Sequence, residues 1–102
     1  MPEYHKLVRD KIPEIIRNGG EVPKVRILEQ EEYLACLEKK LDEEVTEFHQ
    51  DKNAEELADI LEVVYALAEG IGCSKDELLS LCDQKRAARG GFEKRIFLIS
   101  KE

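Results

Sequence analysis

The sequence predicts an all-α protein, mainly a helical bundle, with two long antiparallel helices at its centre. Two stretches carry apolar residues every three or four positions, which is the spacing of a helix face that packs against a neighbour. A short polar segment at 51–53 lies between them and predicts a tight turn. With 102 residues and 42% hydrophobic content, the chain predicts a single domain over 1–102 that has a core.

The N-terminal part predicts one short helix. Residues 1–23 contain a brief apolar-periodic piece, and Pro13 lies where a helix begins, because proline suits the first turn. Gly19 and Gly20 then end it. Segment 24–28 alternates weakly after Pro23, and the tail 92–99 is rich in Ile, Phe and Leu. These two segments are candidates for a small two-stranded β pairing.

Three further helices follow from the pattern. The two long ones are predicted at 29–50 and 54–69, with glycines at 70 and 72 after the second. A third begins at Ser74, where Ser74 and Glu77 have the spacing of a capping box, and it ends at Gly90 and Gly91.

The charge balance excludes several classes of function. Acids outnumber bases 23 to 16, so the net charge is −7, the opposite of what a nucleic-acid-binding protein needs. The chain has neither an apolar run of about 18 residues nor the apolar stretch of a signal peptide, so no membrane association is expected. Its three cysteines form no CxxC pair, and the sequence therefore predicts reduced thiols and a cytoplasmic protein.

Carboxylates occupy apolar positions in the first long helix. The apolar line Leu34, Leu37, Leu41 continues by the same steps to Glu44 and then to Phe48. Glu44 therefore stands where the pattern requires an apolar residue. Glu47 lies one turn further along nearly the same face.

The second long helix carries a matching pair. Its apolar line is predicted to contain Leu57, Ile60, Val64, Leu67 and Ile71, and Glu56 and Asp59 lie within or beside its apolar arc. In a hairpin that turns near position 51.5, paired residue numbers add up to about 103. Glu47 then lies opposite Glu56, and Glu44 lies opposite Asp59.

Four carboxylates at one level predict a site for a hard cation. Their mutual repulsion raises their pKa values, and Mg²⁺ prefers oxygen ligands and removes the conflict. The cluster has no histidine, which argues against zinc and di-iron sites. The alternative is that Glu55 and Glu56 are acids at a helix N-terminus and that Glu43 and Glu47 form a solvated face.

The last predicted helix ends in basic residues. Lys85 and Arg89 continue the stripe that begins with Leu78 and Cys82, and they are candidates to bind phosphate oxygens. Cations near a helix C-terminus are also favoured by the helix dipole alone. Arg9 and Lys11 form a similar mixed-charge group near the N-terminus.

These residues resemble a known enzyme superfamily. The segment 43–47, EEVTE, followed by 56–59, ELAD, resembles the EExxE…ExxD signature of the all-α nucleotide pyrophosphohydrolases, which include the MazG-type enzymes and the phosphoribosyl-ATP pyrophosphohydrolases. Segments 4–13 and 85–92 resemble a small MazG-like subfamily and extend the likeness over nearly the whole chain. Eight residues separate Glu47 from Glu56, fewer than is usual in that superfamily.

The resemblance implies Mg²⁺-dependent hydrolysis of a nucleoside triphosphate at its α–β bond, which releases a monophosphate and pyrophosphate and removes unwanted nucleotides. It implies that four acidic residues hold Mg²⁺, with Mn²⁺ as the alternative ion. It also implies that one further acidic residue orients or deprotonates the attacking water, and that basic residues bind the phosphates. It also implies a homodimer or homotetramer. In this chain the metal ligands would be Glu44, Glu47, Glu56 and Asp59, the catalytic acid Glu43, and the phosphate-binding residues Lys85, Arg89, Arg9 and Lys11.

Two other functions remain open from the sequence. Phosphoribosyl-ATP hydrolysis belongs to the same superfamily, and the sequence separates it poorly from triphosphate hydrolysis. A non-catalytic helical module for dimerisation or partner binding is the alternative outside the enzymes. Cation-dependent stability distinguishes the module from either enzyme.

Overall fold

The computed structural model describes residues 4–102 and contains four α-helices. They are α1 (Ile12–Asn18), α2 (Gln30–Asp51), α3 (Ala54–Gly70) and α4 (Lys75–Arg89). The all-α prediction is confirmed, and the predicted bounds of the two long helices differ from the observed ones by one residue.

Local capping chemistry sets the helix ends. Pro13 lies in the first turn of α1, and Gly19 follows its last residue. The Asn53 side chain accepts a hydrogen bond from the Glu56 N–H at 3.0 Å and caps α3. The Ser74–Glu77 capping box predicted for α4 forms in both directions.

Helices α2 and α3 pack as an antiparallel hairpin. Lys52 adopts a left-handed conformation, φ 50°, and reverses the chain after α2. At the far end, the Gln30 side chain donates a hydrogen bond to the Gly70 carbonyl at 3.0 Å. Because this bond joins the first residue of α2 to the last of α3, α3 lies alongside α2 from the turn to its last residue.

The buried face of α3 follows the predicted line only in its middle part. Leu57 is 51% exposed and Ile71 is 77% exposed, whereas Val63 and Ala68 are buried, as is Leu37 opposite them on α2. The predicted seam is therefore wrong at its two ends, whereas its middle residues Ile60, Val64 and Leu67 are half-buried as predicted. Apolar residues occupy most sides of α3, so spacing alone does not choose the face, and packing against α2 does.

The candidate β pairing does not form within residues 4–102. Segments 24–28 and 92–99 contain no strand, and Ile27 and Phe97 are 92% and 87% exposed. The tail is not continuously extended, because the Arg95 N–H donates a hydrogen bond to the Phe92 carbonyl and closes a turn. Arg95 has a positive φ of 56° in this turn. An isolated two-stranded ribbon is also marginally stable in water.

The described part of the chain has a small core and a large surface. Apart from Glu44, the buried residues in 4–102 are Leu37, Val63 and Ala68. The accessible surface is 9488 Å², whereas a compact 11.7 kDa monomer exposes about 5,900 Å².

None of the described helices is both long and apolar enough to cross a membrane. Three cysteines, Cys36, Cys73 and Cys82, are free thiols.

Candidate metal centre

Three carboxylates meet between α2 and α3. One oxygen each from Glu44, Glu56 and Asp59 lies within 4.8 Å of the others. Glu44 comes from the middle of α2 and the other two from the first turns of α3, so the hairpin brings them together as its register predicts. We refer to these three and the neighbouring Glu47 as the acidic cluster.

Glu44 is the most deeply placed member. Its relative exposure is 7%, and its Oε2 atom is buried with no hydrogen-bond partner. Its Oε1 atom lies 3.7 Å from the Lys40 Nζ, one turn earlier on α2. Burial raises the pKa of Glu44, and the charges of Glu47 and Asp59 raise it further. An unpartnered buried carboxylate oxygen is costly, so this atom requires a ligand or a proton.

Glu56 repeats this arrangement on the opposite helix. Its Oε2 atom is also buried without a partner. Desolvation raises the pKa of Glu56, and its contact with Glu47 adds to the effect. The Glu56 N–H donates to the Asn53 side chain, but the Glu56 carboxylate does not accept a bond in return from the Asn53 N–H. The start of α3 thus lacks the full capping box that Ser74 and Glu77 form at the start of α4. Helix capping therefore does not account for the buried Glu56 carboxylate.

Glu47 and Glu43 lie at the outer edge of the cluster. Both are exposed on α2, on a polar helix face that they share with Asp42, Thr46 and Gln50. Glu47 acts on the pKa of Glu44 and of Glu56, but it lies outside the group of three close ligand atoms. Glu43 lies 3.9 Å from the Lys40 Nζ.

Of the four predicted phosphate-binding residues, Arg9 is bonded to the cluster. Its Nη2 atom donates to the Asp59 Oδ1 at 2.6 Å. Lys11, Lys85 and Arg89 are exposed and form no salt bridge with any residue in 4–102. Arg86, next to Lys85, is paired with Glu93 of the tail.

Lys40 is a site residue that the sequence reasoning missed. Its side chain is 22% exposed and lies near both Glu43 and Glu44. The spacing of four residues between Lys40 and Glu44 was the available signal, since such positions are neighbours on a helix.

The donor set fits a hard divalent cation. The cluster offers four carboxylates, and Lys40 and Arg9 supply two positive charges within 4–102 while no cation is bound, which leaves an excess of negative charge. The two oxygens without a partner belong to Glu44 of α2 and Glu56 of α3. Mg²⁺ and Mn²⁺ prefer such oxygen ligands, and a cation of charge two balances the excess.

The raised pKa values predict that the cation-free protein becomes more stable as the pH falls from neutral to about 5. A raised carboxyl pKa means that the folded state binds the proton more tightly than the unfolded state. The loss of stability caused by ionised Glu44 and Glu56 is complete above the pKa that these groups have in the folded state. It disappears below their pKa in the unfolded state, near 4.5. Thermal unfolding in EDTA at pH 7.5 and pH 5.0 measures the effect.

Glu44→Gln is the matched control for this pH dependence. It keeps the side-chain shape and removes the titrating group, so the gain on acidification is expected to shrink. If the wild type loses stability between pH 7.5 and 5.0, the buried acids are not the dominant titrating groups. Below pH 4.5 the pKa values of Glu32 and Glu93, lowered by Arg26 and Arg86, reverse the trend.

Comparison with known proteins gives one partial likeness. A stretch of 42 residues, 41% of this chain, is 57% identical to an uncharacterized protein of Mycolicibacterium smegmatis (strain ATCC 700084 / mc(2)155). The match spans 43% of that protein's length. No protein-family profile matches the chain, and no solved structure matches it.

Proposed function

We propose that the protein hydrolyses a nucleoside triphosphate between its α and β phosphates with the help of Mg²⁺. The observation that carries the proposal is the buried Glu44, whose unpartnered oxygen lies among Glu56 and Asp59 of the facing helix. A carboxylate in a core position, with two acidic neighbours, costs stability unless a cation binds there. The resemblance of segments 43–47 and 56–59 to the pyrophosphohydrolase signature supports the same reaction.

The reaction assigns a separate task to each group. Water adds to a phosphorus of the α–β bridge, one P–O bond breaks, and a monophosphate and pyrophosphate are released. Glu44, Glu47, Glu56 and Asp59 hold Mg²⁺ (or Mn²⁺), which when bound supplies positive charge that neutralises the phosphate oxygens. Glu43, one turn before Glu47 on the exposed face of α2, accepts the proton of the attacking water. Arg9, Lys11, Lys85 and Arg89 bind the phosphates.

Pyrophosphate release from a panel of nucleoside triphosphates tests the activity. We expect release with Mg²⁺, none with EDTA, and a loss of at least about 100-fold in Glu44→Gln, since that variant removes a charge on which metal binding depends. Glu38→Gln, an exposed acid on α2, serves as the control and is expected to retain activity.

Each negative outcome of the panel has its own meaning. Release from phosphoribosyl-ATP alone would show that the substrate class is the wrong part of the proposal. No release from any of these compounds would contradict the enzymatic proposal and favour a non-catalytic helical module.

We also propose that the protein works as a homo-oligomer, a homodimer or homotetramer. The surface exceeds that of a compact monomer by about 3,600 Å² per chain, and an obligate homodimer interface, which buries about 2,000–5,000 Å² over both chains, would cover part of this excess. Large apolar side chains are exposed on several elements; they include Ile15, Leu57, Leu61, Leu79, Leu81, Phe92 and Phe97. A second copy of the chain would cover them with matching apolar surface.

Sedimentation equilibrium tests the oligomer. We expect a mass of two or four chains for the wild type, and dissociation on Leu61→Glu, which places a charge among the exposed apolar residues of α3. Gln84→Glu, at an exposed polar position of α4, is expected to leave the mass unchanged. A wild-type mass of one chain at micromolar concentration would contradict the proposal.

A further inference from the structure

Arg9 forms a long-range contact with the acidic cluster. It lies in the non-helical segment before α1, and its guanidinium reaches the Asp59 carboxylate at 2.6 Å, 50 residues further along the chain. The side chains of Arg9 and Asp59 are 56% and 40% exposed. The bond thus places a long, solvent-accessible side chain at the edge of the candidate metal centre.

Arg9 and a divalent cation compete for the same carboxylate. Asp59 is one of the three residues whose oxygens converge, and one of its oxygens already accepts from Arg9. A cation binds a carboxylate oxygen at about 2.1 Å, so a guanidinium on the same group would lie within about 5 Å of it and be repelled. An exposed ion pair is weak, and a cation that also satisfies the buried Glu44 and Glu56 oxygens displaces it readily.

We propose that Arg9 is an exchangeable counter-cation that holds Asp59 while no metal is bound and moves to a substrate phosphate when the metal arrives. The inference rests on the proposed function and adds a positioning role for Arg9 to it. A guanidinium released beside a metal–phosphate complex stays within reach of the phosphate oxygens, and its planar fork suits them. The nearby Lys40 does not share this role, because its side chain is 22% exposed and lies against Glu43 and Glu44.

Calorimetric titrations of the full chain test the exchange. The first probe is Mn²⁺ alone, and the second is the preformed manganese–pyrophosphate complex added to manganese-saturated protein. In Arg9→Ala we expect Mn²⁺ to bind about two- to fivefold more tightly, because an exposed competing ion pair is gone. We expect the pyrophosphate complex to bind at least about tenfold more weakly, because a charge-assisted contact is lost.

Two further variants isolate the effect. Arg26→Ala removes the same charge and a somewhat more exposed ion pair, Arg26–Glu32 at 2.7 Å, and is expected to alter neither titration. Arg9→Lys keeps the charge without the fork, and its two affinities are expected to lie between those of wild type and Arg9→Ala.

The outcomes separate this inference from the proposed function. Opposite shifts for the two probes in Arg9→Ala support the exchange, whereas a merely structural role would weaken both. Unchanged or weaker Mn²⁺ binding in Arg9→Ala overturns it, as does unchanged binding of the pyrophosphate complex. If the wild type binds no Mn²⁺ at millimolar concentration, the metal centre itself is wrong, and the exchange fails with it.

Discussion

Replacing Glu44 with leucine is expected to abolish divalent-cation binding and to make the cation-free protein more stable. Glu44 occupies an apolar position of α2, is 7% exposed and has an oxygen without a partner. Leucine completes the apolar face and removes the repulsion from Glu47 and Asp59. An apolar residue here avoids the cost of desolvating a carboxylate oxygen that has no partner, and Lys40, which is 22% exposed, keeps Glu43 as a neighbour.

Thermal unfolding with and without Mg²⁺ measures both effects of Glu44→Leu. The wild type is expected to gain stability with Mg²⁺ through mass action on the folded state, and the variant is expected to gain none. Glu38→Leu, on the exposed side of the same helix, controls for added apolar surface and is expected to keep the Mg²⁺ response. A large loss of cation-free stability in Glu44→Leu would mean that the charge itself supports the fold.

Leu37→Ala is expected to destabilise the protein by about 2–5 kcal/mol. Leu37 belongs to α2 and is 4% exposed, and few other side chains in 4–102 are buried. Domains are stable by about 5–15 kcal/mol in total, so this cavity removes a large share of the stability. Urea unfolding followed by circular dichroism at 222 nm checks it.

The neighbouring position gives the control for the core prediction. Glu38→Ala, at the next residue and exposed, is expected to change stability by no more than about 0.5 kcal/mol. A loss below about 1 kcal/mol in Leu37→Ala would show that the hairpin interface contributes little to the stability of the fold.

Features that depend on short-range signals were predictable from the sequence. The ends of α3 and α4 follow from Asn53 and from the Ser74–Glu77 box, which act within four residues. The burial of Glu44 follows from the steps of three and four that begin at Leu34. The approach of Glu44 and Asp59 needs one further fact, the length of the turn, because antiparallel register then fixes which residues face each other.

Features that depend on packing were not predictable in the same way. The exact face that α3 buries differs from the prediction at its ends because apolar residues such as Leu61 and Val63 lie on both sides of the helix, and only contact with α2 distinguishes them. The pairing of Arg9 with Asp59 joins residues 50 apart, and no periodicity connects them. The tail segment 92–99 has strand-forming composition, but composition does not supply a partner strand.

Anomalous diffraction from crystals grown at pH 7.5 with 10 mM Mn²⁺ tests the central claim most directly, because it locates the ion rather than inferring it from activity. The account predicts a peak between α2 and α3, with oxygens of Glu44, Glu47, Glu56 and Asp59 as ligands and with Arg9 released from Asp59. The absence of an ion between the helices, with Arg9 still bonded to Asp59, would contradict it.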